Sequence, residues 1–287
     1  MQIFLECLPC LLKQTLEAAR VATDSESDQQ KIMTGAIALL GQRANFRYAP
    51  ELFRAAWQII RAQTGVADPY QALKQENIQE ALGILPHLRA FVAGQADRLH
   101  WALKTAATGN IIDKAVYADI DITGILDQEL VRDFRICDLE PFRKALADAR
   151  TLMIIGDNAG ETVFDRILIE NLPQLAVTYV VRSAPALNDA TLADAVASGL
   201  DECATIISSG CPAPGLILDQ STPEFQQLFQ RADLVISKGQ GNFETLSDVK
   251  RPVFFLLKAK CPAVAKAFRV EQNAYIFRYK AKGEYSL

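Results

Sequence analysis

The sequence predicts an α/β fold: a three-layer α/β/α domain with a mainly parallel sheet, preceded by a helical N-terminal region. Three observations predict it. Apolar residues recur at helical spacing through the first third of the chain. From about residue 150 short, continuous apolar runs replace that pattern. Helical spacing then returns between the runs, and strand alternating with helix is the pattern of an α/β layer.

Residues 1–105 read as a helical region. Leu8, Leu12, Leu16 and Ala19 share one helix face, and Phe53, Ala56, Trp57 and Ile60 share another. Asp68-Pro69 reads as an N-cap followed by proline in the first turn, and Gly41, Gly65 and Gly109 stand where helices stop. Residues 106–150 follow neither pattern and form a linking segment that contributes to the site. Residues 151–287 form the α/β/α part, with strands expected at Leu152–Ile155, Val177–Val181, Thr205–Ile207, Leu234–Ile236 and Val253–Leu257. These runs do not alternate, so both faces of each strand are expected to be buried, as in a parallel sheet. Val163, Phe164, Ile167 and Leu168 supply a helix after the first run.

Composition narrows the function. Half the residues are apolar and 22% are charged, enough for a sizeable core. Thirty basic residues against 34 acidic give a net charge of -4, which argues against a nucleic-acid partner. No apolar run reaches bilayer length, and the opening MQIFLECLPCLLKQ lacks a basic leader, so no membrane partner and a cytoplasmic location are expected. Six cysteines are too sparse for a disulfide scaffold, and two histidines leave little material for a zinc site or a Ser-His-Asp triad. Nothing in the composition sets the oligomeric state.

In open parallel sheets ligands bind beyond the carboxyl ends of the strands. Three apolar runs end in polar clusters: Gly156-Asp157-Asn158-Ala159-Gly160-Glu161, Arg182 through Asn188-Asp189, and Ser237-Lys238-Gly239-Gln240-Gly241-Asn242. Asp157, Asn158 and Asp189 are hard oxygen donors suited to magnesium, manganese or a similar divalent cation. Lys238 offers a positive charge for an anion, and its neighbouring glycines let backbone N–H groups approach. A cation, carboxylates and a lysine together describe phosphoryl transfer. Taken singly, Asp157, Asn158, Asp189 and Asn242 also suit helix caps, and that alternative stays open at this point.

The same clusters resemble the damage-control phosphatases, a family catalogued as domain of unknown function 89. Cys7-Leu8-Pro9-Cys10, Gly109-Asn110-Ile111-Ile112-Asp113 and Lys258-Ala259-Lys260-Cys261 are similar to its prokaryotic-type branch with an N-terminal C-x-x-C. The resemblance implies a metal-dependent phosphatase of small phosphorylated metabolites. It implies Asp157, Asn158 and Asp189 as metal ligands and Lys238 as the phosphate-holding residue. Asn110, Asp113 and Asn242 match positions near the site, and Arg182 stands where the family carries a lysine.

The expected reaction is hydrolysis of phosphate monoesters (phosphosugars, nucleotides or damaged phospho-metabolites) by metal-activated water. Asp157, Asp189 and Glu161 are the expected catalytic residues; Lys238, Gly239 and Asn242 bind phosphate; Asn110, Asp113 and Asn188 bind the rest of the substrate. The cofactor is a divalent cation: Mn2+, Mg2+, Co2+ or Ni2+. Asp157 as a covalent nucleophile is an open variant. Two other readings are a non-catalytic phospho-metabolite binding protein and a nucleoside-cofactor-dependent methyltransferase, the latter disfavoured by the missing G-x-G turn.

Overall fold

The computed structural model describes residues 1–109 and 122–283. Helices α1 (Cys7–Ala22), α2 (Glu26–Gly41) and α3 (Ala49–Thr64) come first. Their apolar faces meet one another: Leu11, Leu39, Leu52 and Ala56 form one small core, and Ala18, Ala19, Ile32, Trp57 and Ile60 a second. Ser25 caps α2 by accepting from the Asp28 N–H, and α3 stops at Gly65, whose φ of 72° suits a residue without a β-carbon.

Helices α4 (Gln71–Ala93) and α5 (Arg98–Thr108) belong to the main core instead. The expected cap at Asp68-Pro69 is corrected by two residues, since α4 begins at Gln71. Asp68 makes a turn, accepting from the Tyr70 N–H, and pairs with Lys74 at 2.8 Å. Lys74 also meets Asp194 at 2.8 Å, so one buried ammonium ties α4 to the sheet domain.

Among the described residues seven strands follow: β1 (Phe134–Cys137), β2 (Thr151–Ile155), β3 (Ala176–Val181), β4 (Thr205–Ser208), β5 (Leu234–Lys238), β6 (Val253–Lys258) and β7 (Tyr275–Lys280). Their order is β1-β7-β6-β5-β2-β3-β4, with β2 to β6 mutually parallel and β7 antiparallel to β6. The five unalternated runs are β2 to β6. β1 and β7 carry no such run, because polar residues such as Arg135 and Arg278 interrupt their apolar ones.

Alternate strand residues feed two layers. Leu152, Ile154, Ile236 and Phe254 share a core with α4, α5, α6 (Ile122–Leu130), α7 (Leu139–Asp148) and α8 (Glu161–Glu170). Met153, Ile155, Val235 and Phe255 pack with α10 (Pro223–Arg231), α11 (Gln240–Leu246) and α12 (Pro262–Phe268). The short α9 (Leu192–Ala197) follows β3. Each such fully buried side chain contributes about 1.5–3 kcal/mol. The result is the α/β/α arrangement expected from the sequence. Among the described residues no helix is long and apolar enough to cross a membrane.

The strand order places the site. From β2 the chain steps outward to β3 and β4, then crosses back to β5 on the other side of β2. Loops leaving β2 and β5 therefore part in opposite directions and open a crevice at their carboxyl ends.

Candidate active site

Backbone pairing beyond the strands gathers the acidic residues in that crevice. The Gly156 N–H donates to Val180 O at 2.9 Å, Ala159 N–H to Asn188 O at 2.9 Å, and Ala190 N–H to Asp157 O at 2.8 Å. This antiparallel bridge sets Asn158 opposite Asp189, so Asp157, Asn158 and Asp189 stand together. The capping alternative falls away. Gly160 precedes α8 without a side-chain cap, and α9 is capped by Thr191 with Asp194.

The cluster is rich in negative charge. Burial, then the Glu161 and Asp189 carboxylates, push the Asp157 carboxyl well above its ordinary range; Lys260 and Arg182 pull the other way. Burial also raises Asp189, against the pull of Arg182. Arg182 is buried, its Nε donating to Asp189 Oδ2 at 2.6 Å and its Nη2 to Asn242 Oδ1 at 2.9 Å. Its Nη1 finds no partner among the described residues. A lysine has one compact ammonium and no planar fork to span both partners in this way.

Behind the acids lies a buried network. Glu161 Oε1 accepts from Asn158 Nδ2 at 2.9 Å. Lys238 Nζ donates to Glu161 Oε2 at 2.9 Å, Asp165 Oδ1 at 2.7 Å and Ala106 O at 2.8 Å. The Tyr179 hydroxyl donates to Asp165 Oδ2 at 2.6 Å. Burial pulls the Lys238 ammonium down, but the Asp165 and Glu161 carboxylates reverse that and hold it protonated.

Four expectations are corrected here. Lys238 faces inward, and its three N–H donors are all taken, so the phosphate role read from its position is absent in this arrangement. Asn242 is fully buried and saturated: it donates to Gly156 O and Lys238 O and accepts from Arg182 and the Leu216 N–H. The Gly239 N–H donates to Leu256 O at 3.1 Å and is not offered to a ligand. Glu161, expected to act on water, holds Asn158 and Lys238 and is a positioning residue. Asn188 lines the cavity, while Asn110 and Asp113 lie outside the described residues.

Sequence reading missed Asp165 and Tyr179. An acid one helical turn after Glu161, inside the apolar stretch Val163–Leu168, was the available signal: an Asp on a buried face requires a partner.

Gly239 has a φ of 78° and a ψ of 165°, a conformation reserved for glycine. A β-carbon there would land on the Asp157 carboxylate. Gly239→Ala is therefore expected to lower stability by about 1–3 kcal/mol and displace Asp157. Chemical denaturation and metal titration of the variant check both effects.

The network also sets a pH dependence. Burial pushes Asp165 up to about 6 from an ordinary 3.8. A carboxyl raised in the fold contributes stability that is complete below its unfolded value and is lost as pH rises through its folded value. Asp157 and Asp189 act in the same direction. Metal-free protein is thus expected to melt lower at about pH 7.5 than at about pH 5. Equal melting temperatures in chelator would contradict this.

The crevice forms a cavity of about 350 Å³, lined by Asp157, Asn158, Asp189, Lys260, Phe53 and the thiols Cys7, Cys10 and Cys261. Burial pushes the Cys7 thiol up to about 11, so it stays protonated and a poor nucleophile at neutral pH. All six cysteines are unpaired. Among the described residues no three His, Cys, Asp or Glu side chains form a metal cage. The candidate donors are two carboxylates and an amide. A hard divalent cation that keeps waters fits this set, and its charge would relieve the repulsion on Asp157.

Comparison with known proteins gives a consistent result. The damage-control phosphatase ARMT1-like domain matches residues 3–276. A damage-control phosphatase of Pyrococcus horikoshii is 31% identical over 286 residues, 96% of this chain and 97% of the relative. A damage-control phosphatase of Archaeoglobus fulgidus is 30% identical over 273 residues, 91% of this chain and 93% of the relative. The crystal structure of a DUF89 family protein from P. horikoshii superposes with a TM-score of 0.85 at 30% identity, covering 96% of this chain and 98% of that one.

Proposed function

The chain belongs to the damage-control phosphatase ARMT1-like domain family, and from that membership we propose that it is a metal-dependent phosphatase of small metabolites. Its substrates are phosphosugars, nucleotides or damaged phospho-metabolites. The observation carrying this reading is the crowding of Asp157 and Asp189 with Asn158 at the sheet's switch point, where burial and the neighbouring Glu161 carboxylate raise both carboxyls.

Asp157, Asp189 and the Asn158 amide oxygen would hold the cation: manganese, magnesium, cobalt or nickel. When bound, it supplies Lewis-acid polarisation of the phosphate and an activated water. The protein's own residues do the positioning. Arg182 fixes Asp189, Glu161 turns the Asn158 amide so that its nitrogen faces inward, and Lys238 holds Glu161. Gly239 makes room for the Asp157 carboxylate. Helices α1 and α3 cover the cavity and limit it to a small substrate.

The test is hydrolysis of p-nitrophenyl phosphate by chelator-stripped protein, with and without each metal. Release of nitrophenol only with metal supports the reading. Silence from folded protein with all four metals overturns it.

A further inference from the structure

Three lysines line the cavity, Lys238, Lys258 and Lys260. Phosphate ester hydrolysis needs a cation facing the substrate, because charge on the phosphoryl oxygens must be neutralised where it develops. Lys238 is committed: its ammonium is buried, and its three protons go to Glu161, Asp165 and Ala106 O. Lys258 is ion-paired to Glu129 at 2.7 Å, and that carboxylate also accepts from the Tyr275 hydroxyl.

Lys260 differs from both. Its side chain is exposed at the cavity mouth and makes no ion pair among the described residues. Its backbone is nonetheless held on both sides, the N–H donating to Gln240 Oε1 at 2.9 Å and the carbonyl accepting from Gln272 Nε2 at 2.7 Å. The ammonium is thus tethered but uncommitted, on the wall of the cavity that Asp157 also lines. A long, flexible side chain on a fixed backbone can close on an anion and withdraw from product.

We propose that Lys260 is the side chain that grips the phosphoryl oxygens of the substrate, taking the role that the strand-end position of Lys238 suggests. The inference rests on the phosphatase reading and locates substrate recognition on the loop after β6.

The experiment is calorimetric titration of inorganic phosphate into manganese-saturated protein, comparing wild type with Lys260→Ala and Lys260→Arg. Lys260→Ala is expected to weaken binding about tenfold or more, a loss typical of one charge-assisted contact, while melting as wild type does. Lys260→Arg, which keeps the charge, is expected to retain most of the affinity. Phosphate binding equal to wild type in Lys260→Ala, or none in the wild type, would overturn the inference. The phosphatase reading is judged separately by turnover. Lys260-dependent phosphate binding without aryl phosphate hydrolysis would sink that reading and leave the Lys260 contact standing.

Discussion

Replacing Asp157 by asparagine is expected to lower turnover about 1000-fold or more while leaving the metal-free protein at least as stable as wild type. The two effects share one cause. Asp157 sits beside Glu161 and Asp189, and burial with those charges makes its ionised form costly. An amide keeps the shape and removes the charge, so folding improves. It also removes a ligand oxygen that bears charge, so cation affinity drops. Thermal melts in chelator and steady-state kinetics in manganese check the pair. A variant that melts well below wild type in chelator would show that Asp157 is a structural acid, and near-normal turnover would remove it from the site.

Lys238→Ala is expected to act in the opposite sense on stability. Its removal strands Glu161 and Asp165, whose side chains are 3% and 0% exposed, without their cation. Breaking a buried pair in this way costs about 3–5 kcal/mol. At about 2–4 °C per kcal/mol for a chain of this size, the melting temperature should fall by roughly 6–20 °C. Turnover should fall too, because Glu161 then loses its hold on the Asn158 amide. Replacing Asp165 with asparagine in the same chain should recover part of the stability, since one of the stranded charges is gone. Normal melting with weakened phosphate binding in Lys238→Ala would instead mean that the ammonium faces substrate.

These two expectations mark the boundary of what the sequence makes legible. Strands β2 to β6 stand out because each is buried on both faces and so reads as an unbroken apolar run. Their ends point to Asp157, Asn158 and Asp189, because a parallel sheet exposes chemistry at its carboxyl edge. Position along the chain does not say which way a side chain turns. Lys238 and Asn242 fall at a strand end yet point inward, captured by Asp165, Glu161, Arg182 and the Gly156 carbonyl. That capture depends on α8 lying across the end of β5, a tertiary fact. Arg182 likewise reads from sequence as a charge-preserving departure from the family lysine, and only the packing reveals a fork joining Asp189 to Asn242. β1 and β7 escape notice because polar residues such as Arg135 and Arg278 break up their apolar ones.

In the proposed mechanism Asp157, Asn158 and Asp189 hold one catalytic cation. Calorimetric titration of manganese into chelator-stripped wild type, Asp157→Asn and Lys260→Ala tests it most directly. One manganese per chain in wild type and in Lys260→Ala, with binding lost in Asp157→Asn, is the predicted result. Undiminished manganese binding by Asp157→Asn would place the cation elsewhere and contradict the account.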